Sequence, residues 1–270
     1  MRIALLVNQD LHANVALNLL LDTLAAHDVI LFYSKKVGGK PPAVPELETL
    51  RALERDIPIN VVWPLAEAAG RPTSAKYRTF PQIAEELGSS WEFMSNPNSP
   101  ESLAHLHRFA PDLVVSIRYG GIFHESFLAI PRLGVLNLHS GLLPQFQGIL
   151  LTLQALVADE RTIGATLHWI IDRTIDSGPI VGVAEVPVVA YGSLFSHVQS
   201  LYPPGVQLLA EAIERLSRGE SLASRPQDPT AASYKSFPEA PEFRALAERG
   251  FTLVDLGEYE RLLRNWVPQL

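Results

Sequence analysis

The 270 residues contain no cysteine. That absence excludes disulfides, thiolate nucleophiles and Cys-ligated zinc or iron–sulfur centres, and it fits a reducing compartment. No run approaches the roughly 18–20 apolar residues of a membrane span. The opening apolar stretch is broken by Asn8 and Asp10, too early for the apolar core of a secretory signal. The expectation is a soluble, cytoplasmic protein without membrane contact. Positive charge is also in short supply: 22 Lys and Arg stand against 29 Asp and Glu, a net charge of −7. No basic run is present, which argues against a nucleic-acid partner. The sequence also lacks GxGxxG, P-loop and GxSxG signatures, and it shows no internal repeat or low-complexity tract.

What is present is a core-forming chain. Hydrophobic residues make up 47% and charged residues 19%, enough for a large packed domain. Short apolar runs alternate with amphipathic stretches. Strands are expected at 2–7, 29–33, 57–62, 113–117, 134–138, 165–171 and 182–189. Helices are expected at 14–25, 47–53, 102–109, 124–129, 150–158 and 193–217, the last broken by Pro203-Pro204. This rhythm predicts an α/β, Rossmann-like, doubly wound, mostly parallel sheet covered on both faces. Two Gly/Pro-containing stretches, 36–45 and 67–79, read as long connections. From residue 221 the character changes to a polar linker, a turn flanked by Tyr234 and Phe237, and helices near 241–249 and 258–266. The division expected is a catalytic domain over 1–220 and a C-terminal appendage over 221–270, with Tyr234 and Phe237 anchoring the appendage to the core.

The chemistry is concentrated in 135–180. Val135-Leu-Asn-Leu-His139-Ser runs from a strand into polar residues. Alternate strand residues share a face, so Asn137 and His139 project together from the strand end. Ligands of open α/β sheets bind beyond the carboxyl ends of the strands. Downstream, Thr166-Leu-His168 lies in a strand, and Asp176-Ser-Gly178-Pro179 punctuates the loop after it. Each residue alone has an ordinary reading: Asn137 as a cap, Asp176 as a turn former; His168 reads equally as a strand residue or as a further member of the site. His105 and His107, two apart on a helix, diverge and read as a solvated pair. Arg118 reads either as an anion contact or as a strand cap.

Taken together, Asn137-x-His139, Leu-Leu-Pro144 with Gly148 behind it, and Thr166-x-His168 to Asp176-x-Gly178-Pro179 resemble the folate-dependent formyltransferase family, which includes glycinamide ribonucleotide, methionyl-tRNA and amino-sugar formyltransferases. The detailed similarity covers about 113–186. It implies 10-formyltetrahydrofolate as co-substrate and no metal. It further implies Asn137, His139 and Asp176 as the catalytic trio, and contacts to the pterin from Gly121, Ile122 and Phe123 and from Thr174 and Ile175. The sequence departs from the family pattern at Ser140-Gly141, where Pro-Ser is usual, at Gln147, where an Arg is common, and at Ile149–Thr152, where a Pro is missing. These positions lie in the loop that faces the acceptor in the family.

Residues 221–270 hold six Lys and Arg and seven Asp and Glu, a poor surface for tRNA. The expected acceptor is therefore a small-molecule amine or hydroxylamine, such as an amino-sugar nucleotide or an N-hydroxyornithine-like compound of sugar or siderophore biosynthesis. The alternatives are a formyltetrahydrofolate hydrolase, a methionyl-tRNA formyltransferase-like enzyme and a non-catalytic folate-binding protein. A homodimer is compatible with all of them.

Overall fold

The computed structural model describes residues 1–35, 40–70 and 74–270. The expected connections at 36–45 and 67–79 therefore lie partly outside the described residues.

The chain begins with β1 (Arg2–Asn8), α1 (Leu11–Leu24) and β2 (Asp28–Ser34). Every β1 residue after Arg2 is buried, as a central strand covered on both faces requires. The turn into α1 is set by Asp10, whose carboxylate accepts the N–H of Ala13 as an N-cap. Next come α2 (Pro45–Arg51), α3 (Trp63–Ala68), α4 (Phe80–Glu86), β3 (Trp91–Phe93), α5 (Pro100–Phe109), β4 (Leu113–Ile117), α6 (Glu125–Leu128) and β5 (Val135–His139). The second half holds β6 (Gln147–Gly148), α7 (Leu151–Val157), β7 (Thr162–Ile170), β8 (Ile180–Pro187), α8 (Leu194–Ser200), α9 (Tyr202–Ser217), β9 (Tyr234–Lys235), α10 (Ala240–Glu248) and α11 (Leu256–Leu263).

Seven strands form one sheet in the order β3-β2-β1-β4-β5-β7-β8. Pairing is parallel from β3 to β5 and antiparallel across β5–β7 and β7–β8. The expected doubly wound, mostly parallel sheet is the observed one. Two apolar clusters cover its faces: the larger, which includes α1, α9 and the C-terminal helices, and a smaller one around Phe123, Phe127 and Leu106.

One expected strand is absent. Residues 57–62 continue the helical stretch that starts at Pro45, through wide turns in which Ile57 N–H reaches Ala52 and Trp63 N–H reaches Pro58. A short apolar run does not by itself distinguish a strand from a buried helical face. Pro58 lacks the N–H a ladder needs, and the wide turn accommodates its ring. By contrast, Pro203 and Pro204 act as the sequence implies. They occupy the first turn of α9, where a missing N–H costs nothing, and separate it from α8.

Residues beyond 220 pack onto this body. β9 pairs in parallel with β6. Trp266 is buried and donates its indole N–H to Asn14 Oδ1 at 2.9 Å. Tyr259 donates its hydroxyl to the Leu53 carbonyl at 2.8 Å.

Candidate active site

The carboxyl ends of β1, β4 and β5 open onto a large cleft of about 1030 Å³, at the upper end of the range usual for small-molecule sites. All eight residues singled out above line it: Asn137, His139 and Asp176, and Gly121, Ile122, Phe123, Thr174 and Ile175. Residues separated by up to 55 positions are brought to one wall because β5 is flanked by β4 on one side and β7 on the other.

The polar cluster at the floor is specific in its geometry. Asp176 Oδ1 lies 3.3 Å from His139 Nδ1 and 3.7 Å from His168 Nε2. Its other oxygen accepts the Gly148 N–H at 3.0 Å. Asp176 adopts φ +53°, a left-handed conformation that Asp tolerates better than most residues. Its carbonyl accepts from Gln147 Nε2 at 3.2 Å and from Gln227 Nε2 at 2.8 Å, and Gln227 also bonds the Gly178 carbonyl. Burial alone would raise the Asp176 carboxyl; His139, His168 and the Gly148 N–H outweigh it and hold the pKa below the ordinary value.

His139 is buried. Its Nε2 lies 2.9 Å from the Phe146 carbonyl, which only accepts, so Nε2 carries a proton and Nδ1 faces the carboxylate. Burial lowers its pKa below the ordinary imidazole value; Asp176 and the Phe146 carbonyl oppose the shift, and His168 adds to it. His168 lies beside this cluster, its Nε2 3.7 Å from Asp176 Oδ1. The Trp169 carbonyl lies 3.0 Å from His168 Nδ1, which places the donor there. In the neutral ring Nε2 then accepts from Asn137 Nδ2 at 3.0 Å. That contact orients the Asn137 amide at the cleft wall.

The turn after β4 is tight by necessity. A Cβ on Gly121 would stand 2.5 Å from the Tyr119 ring and 3.2 Å from Pro97. Asn98 pins the same turn, donating to the Ile122 carbonyl at 2.7 Å and accepting from the His124 N–H at 2.8 Å. Ile122 and Ile175 present apolar side chains, 49% and 40% exposed, while Phe123 is buried beneath the turn. Asp172 Oδ1 accepts the Thr174 N–H at 2.7 Å, shaping the loop opposite. The two exposed isoleucines give this part of the cleft an apolar surface. Among the described residues no group of three or more His, Asp and Glu is arranged to hold a metal ion.

Several residues had no local signal in the sequence. Gln227 sits 51 positions from Asp176, and nothing at Asn98 marks it as a turn-pinning residue. Tyr234 and Phe237 line the cleft, and Tyr234 also ties the tail to the body through the β9–β6 pairing; its side chain stays exposed, and Trp266 and Tyr259 supply the buried contacts. Arg118, also cleft-lining, is held by Asp10, Glu54 and Tyr202. His105 faces Glu92 at 3.4 Å and stands edge-on to Phe32, away from this site.

The family model described as Formyl transferase matches residues 51–213. The chain belongs to the formyl transferase family. A methionyl-tRNA formyltransferase of Thermobifida fusca (strain YX) is 31% identical over 197 residues, covering 73% of this chain and 63% of that protein. The chain thus matches less than two thirds of that relative's length. Among solved structures, a sugar N-formyltransferase from Shewanella sp FDAARGOS_354 superposes with a TM-score of 0.56 at 17% identity, covering 99% of this chain and 88% of the other. An N-formyltransferase from Helicobacter canadensis, in complex with folinic acid and dTDP-3-aminofucose, gives 0.54 at 16% identity, covering 87% and 71%. At these identities the two structures establish a shared fold.

Proposed function

We propose that the protein transfers the formyl group of 10-formyltetrahydrofolate to the nitrogen of a small-molecule amine or hydroxylamine. The observation that carries this reading is the Asn137–His139–Asp176 cluster at the floor of the cleft, in a chain of the formyl transferase family. The folate contacts would come from the turn at Gly121–Phe123 and the loop at Thr174 and Ile175. Support comes from the tight glycine turn and the exposed isoleucines, and from folinic acid as a ligand of the Helicobacter protein.

The chemistry asks for little more. Attack of a nitrogen lone pair on the formyl carbon makes a C–N bond and pushes charge onto the formyl oxygen. Asn137 presents an amide N–H to that oxygen, and its orientation is preset by His168, so no reorganisation is needed as charge develops. Asp176, held as a carboxylate, and the His139 ring beside it take the proton released by the attacking nitrogen. Collapse then breaks the bond to the folate nitrogen, which needs a proton in return. In this reading the His139–Asp176 pair returns it. No covalent attachment to the protein is required.

A small acceptor is favoured over tRNA by the net charge of −7 and by the balanced charge of residues 221–270. The test is tetrahydrofolate release from 10-formyltetrahydrofolate with a panel of amines, amino-sugar nucleotides, N-hydroxyornithine and Met-tRNA. Release that depends on a small acceptor and disappears in Asn137→Ala, His139→Ala and Asp176→Ala is the expected result. Formylation of Met-tRNA alone, or acceptor-independent formate release, would overturn it.

A further inference from the structure

At the β1 end of the cleft stands a second polar cluster that the formyl-transfer chemistry leaves unused. Asp10 and Glu54 flank Arg118: Arg118 Nε donates to Asp10 Oδ2 and Nη2 donates to Glu54 Oε2, both at 2.8 Å. Two carboxylates thus face one guanidinium in a setting where Asp10 is 3% and Glu54 12% exposed. Tyr202 accepts from Arg118 Nη1 at 3.2 Å, and a further neighbour, His12, is wholly buried; its Nδ1 lies 2.9 Å from Gln199 Oε1, and its Nε2 stands 3.6 Å from Glu54 Oε1 without a hydrogen bond.

The cluster is short of donors. Both Asp10 oxygens are engaged, Oδ1 by the Ala13 N–H and Oδ2 by the Asn8 amide and Arg118. Glu54 Oε1 has only the distant His12 ring. Asn8 is 2% exposed, lines the cleft, and its Oδ1 has no donor at all. Buried acceptors without donors, beside two carboxylates that share one guanidinium, are costly unless a ligand completes them. A primary ammonium brings three N–H donors and one positive charge. The exposed lysines at the rim, Lys35 and Lys40, are screened by water in a way that this floor is not.

We infer that Asn8 and Glu54, backed by Asp10 and Arg118, form a subsite for an ammonium group of the acceptor distinct from the nitrogen that is formylated. This rests on the proposed amine-acceptor reading. Asn8 ends β1, two strands from Asn137 through β4 and two residues further along, since Asn137 is level with Ser116 and Ser116 with Leu6, a separation of about 12 Å at the usual strand spacing and rise. Allowing a hydrogen-bond length of about 3 Å, a short aliphatic spacer joins the two nitrogens. The acceptor class is therefore a diamine-like molecule with one cationic and one reactive nitrogen.

Ligand-detected NMR titration of the full chain with 1,4-diaminobutane and its neutral isostere 1,4-butanediol tests this, with folinic acid as an independent probe of the donor site. The diamine is expected to bind at least tenfold more tightly than the diol. Asn8→Ala and Glu54→Gln should each erase that preference while folinic acid binding stays unchanged. Asn8→Ala leaves both Arg118 ion pairs in place and carries the test if Glu54→Gln fails to fold. Equal binding of diol and diamine, or a preference retained in a folded variant, overturns the subsite. Diamine preference lost in the variants with no folinic acid binding to any form would keep the subsite and remove the folate reading instead.

Discussion

Asp176 shares its carboxylate between two duties: Oδ1 faces His139 Nδ1 at 3.3 Å, and Oδ2 holds the Gly148 N–H at 3.0 Å. The loop between β5 and α7 is thereby tied to the loop after β7, and the histidine is clamped between Asp176 and the Phe146 carbonyl. Asp176→Asn keeps the shape but loses the charge. Turnover in a formyl-transfer assay is expected to fall by about 10²–10⁴, the range for a positioned acid–base group, and the thermal midpoint at neutral pH to fall with it, since the stabilisation lent by the ionised carboxylate is complete there.

Asn137→Ala removes an oriented donor. The expected loss in kcat is roughly 10²–10³, the size seen when one oxyanion donor is deleted. Folinic acid affinity measured by titration should stay close to the parent value, since the amide acts on the reacting oxygen and not on the ring.

His168 is a positioning residue in this reading. Its Nε2 orients Asn137 while its Nδ1 is engaged by the Trp169 carbonyl. His168→Phe should lower kcat by about tenfold, near the upper worth of one buried hydrogen bond, and leave KM for the donor unchanged. A rise in KM with constant kcat would assign the residue to binding instead.

Stability should depend on pH through two of these groups. His139 has its pKa lowered by burial, so the unfolded chain takes up its proton first as pH falls. The stabilisation is complete above the unfolded value of about 6.5 and declines as pH drops through the folded value. Asp176 is likewise lowered; its contribution is complete above about 4 and is lost further into acid. Urea midpoints measured from pH 8 to pH 3 should fall in both windows. His139→Gln should shrink the first step without abolishing it, because His27 is also lowered, mainly by burial.

Gly148 has φ +108°, and a Cβ there would stand 2.0 Å from the Lys235 carbonyl. Gly148→Ala is expected to displace β9 from β6 and to cost at least about 1 kcal/mol. Limited proteolysis should then cut the chain near residues 225–238 sooner than in the parent. Unchanged protection would show that this pairing does not hold the segment.

Much of the fold was legible. The strands at β1, β2, β4 and β5 announce themselves because a buried parallel sheet demands unbroken apolar runs. The site was legible for a different reason: Asn137 and His139 share one strand face, and Asp176 lies in a Gly/Pro-marked loop. The segment at 57–62 was not, since its apolar run carries no period that separates strand from buried helix. β3 is three residues long and owes its place to Trp91 stacked between Tyr33 and Phe80, contacts with no local trace.

By itself, then, the amino-acid order determined the alternating α/β layout, the family motif and the identity of the polar residues at the strand ends, because all of these are written in local periodicity and spacing. Only the tertiary structure decided which distant groups meet them. Gln227 reaches Asp176, Tyr234 and Phe237 reach the cleft, and Arg118 joins Asp10 to Glu54. Such contacts follow from strand order and from the return of the chain's last fifty residues across the β6 edge, and the energy that sets them is burial shared among segments that no local window contains.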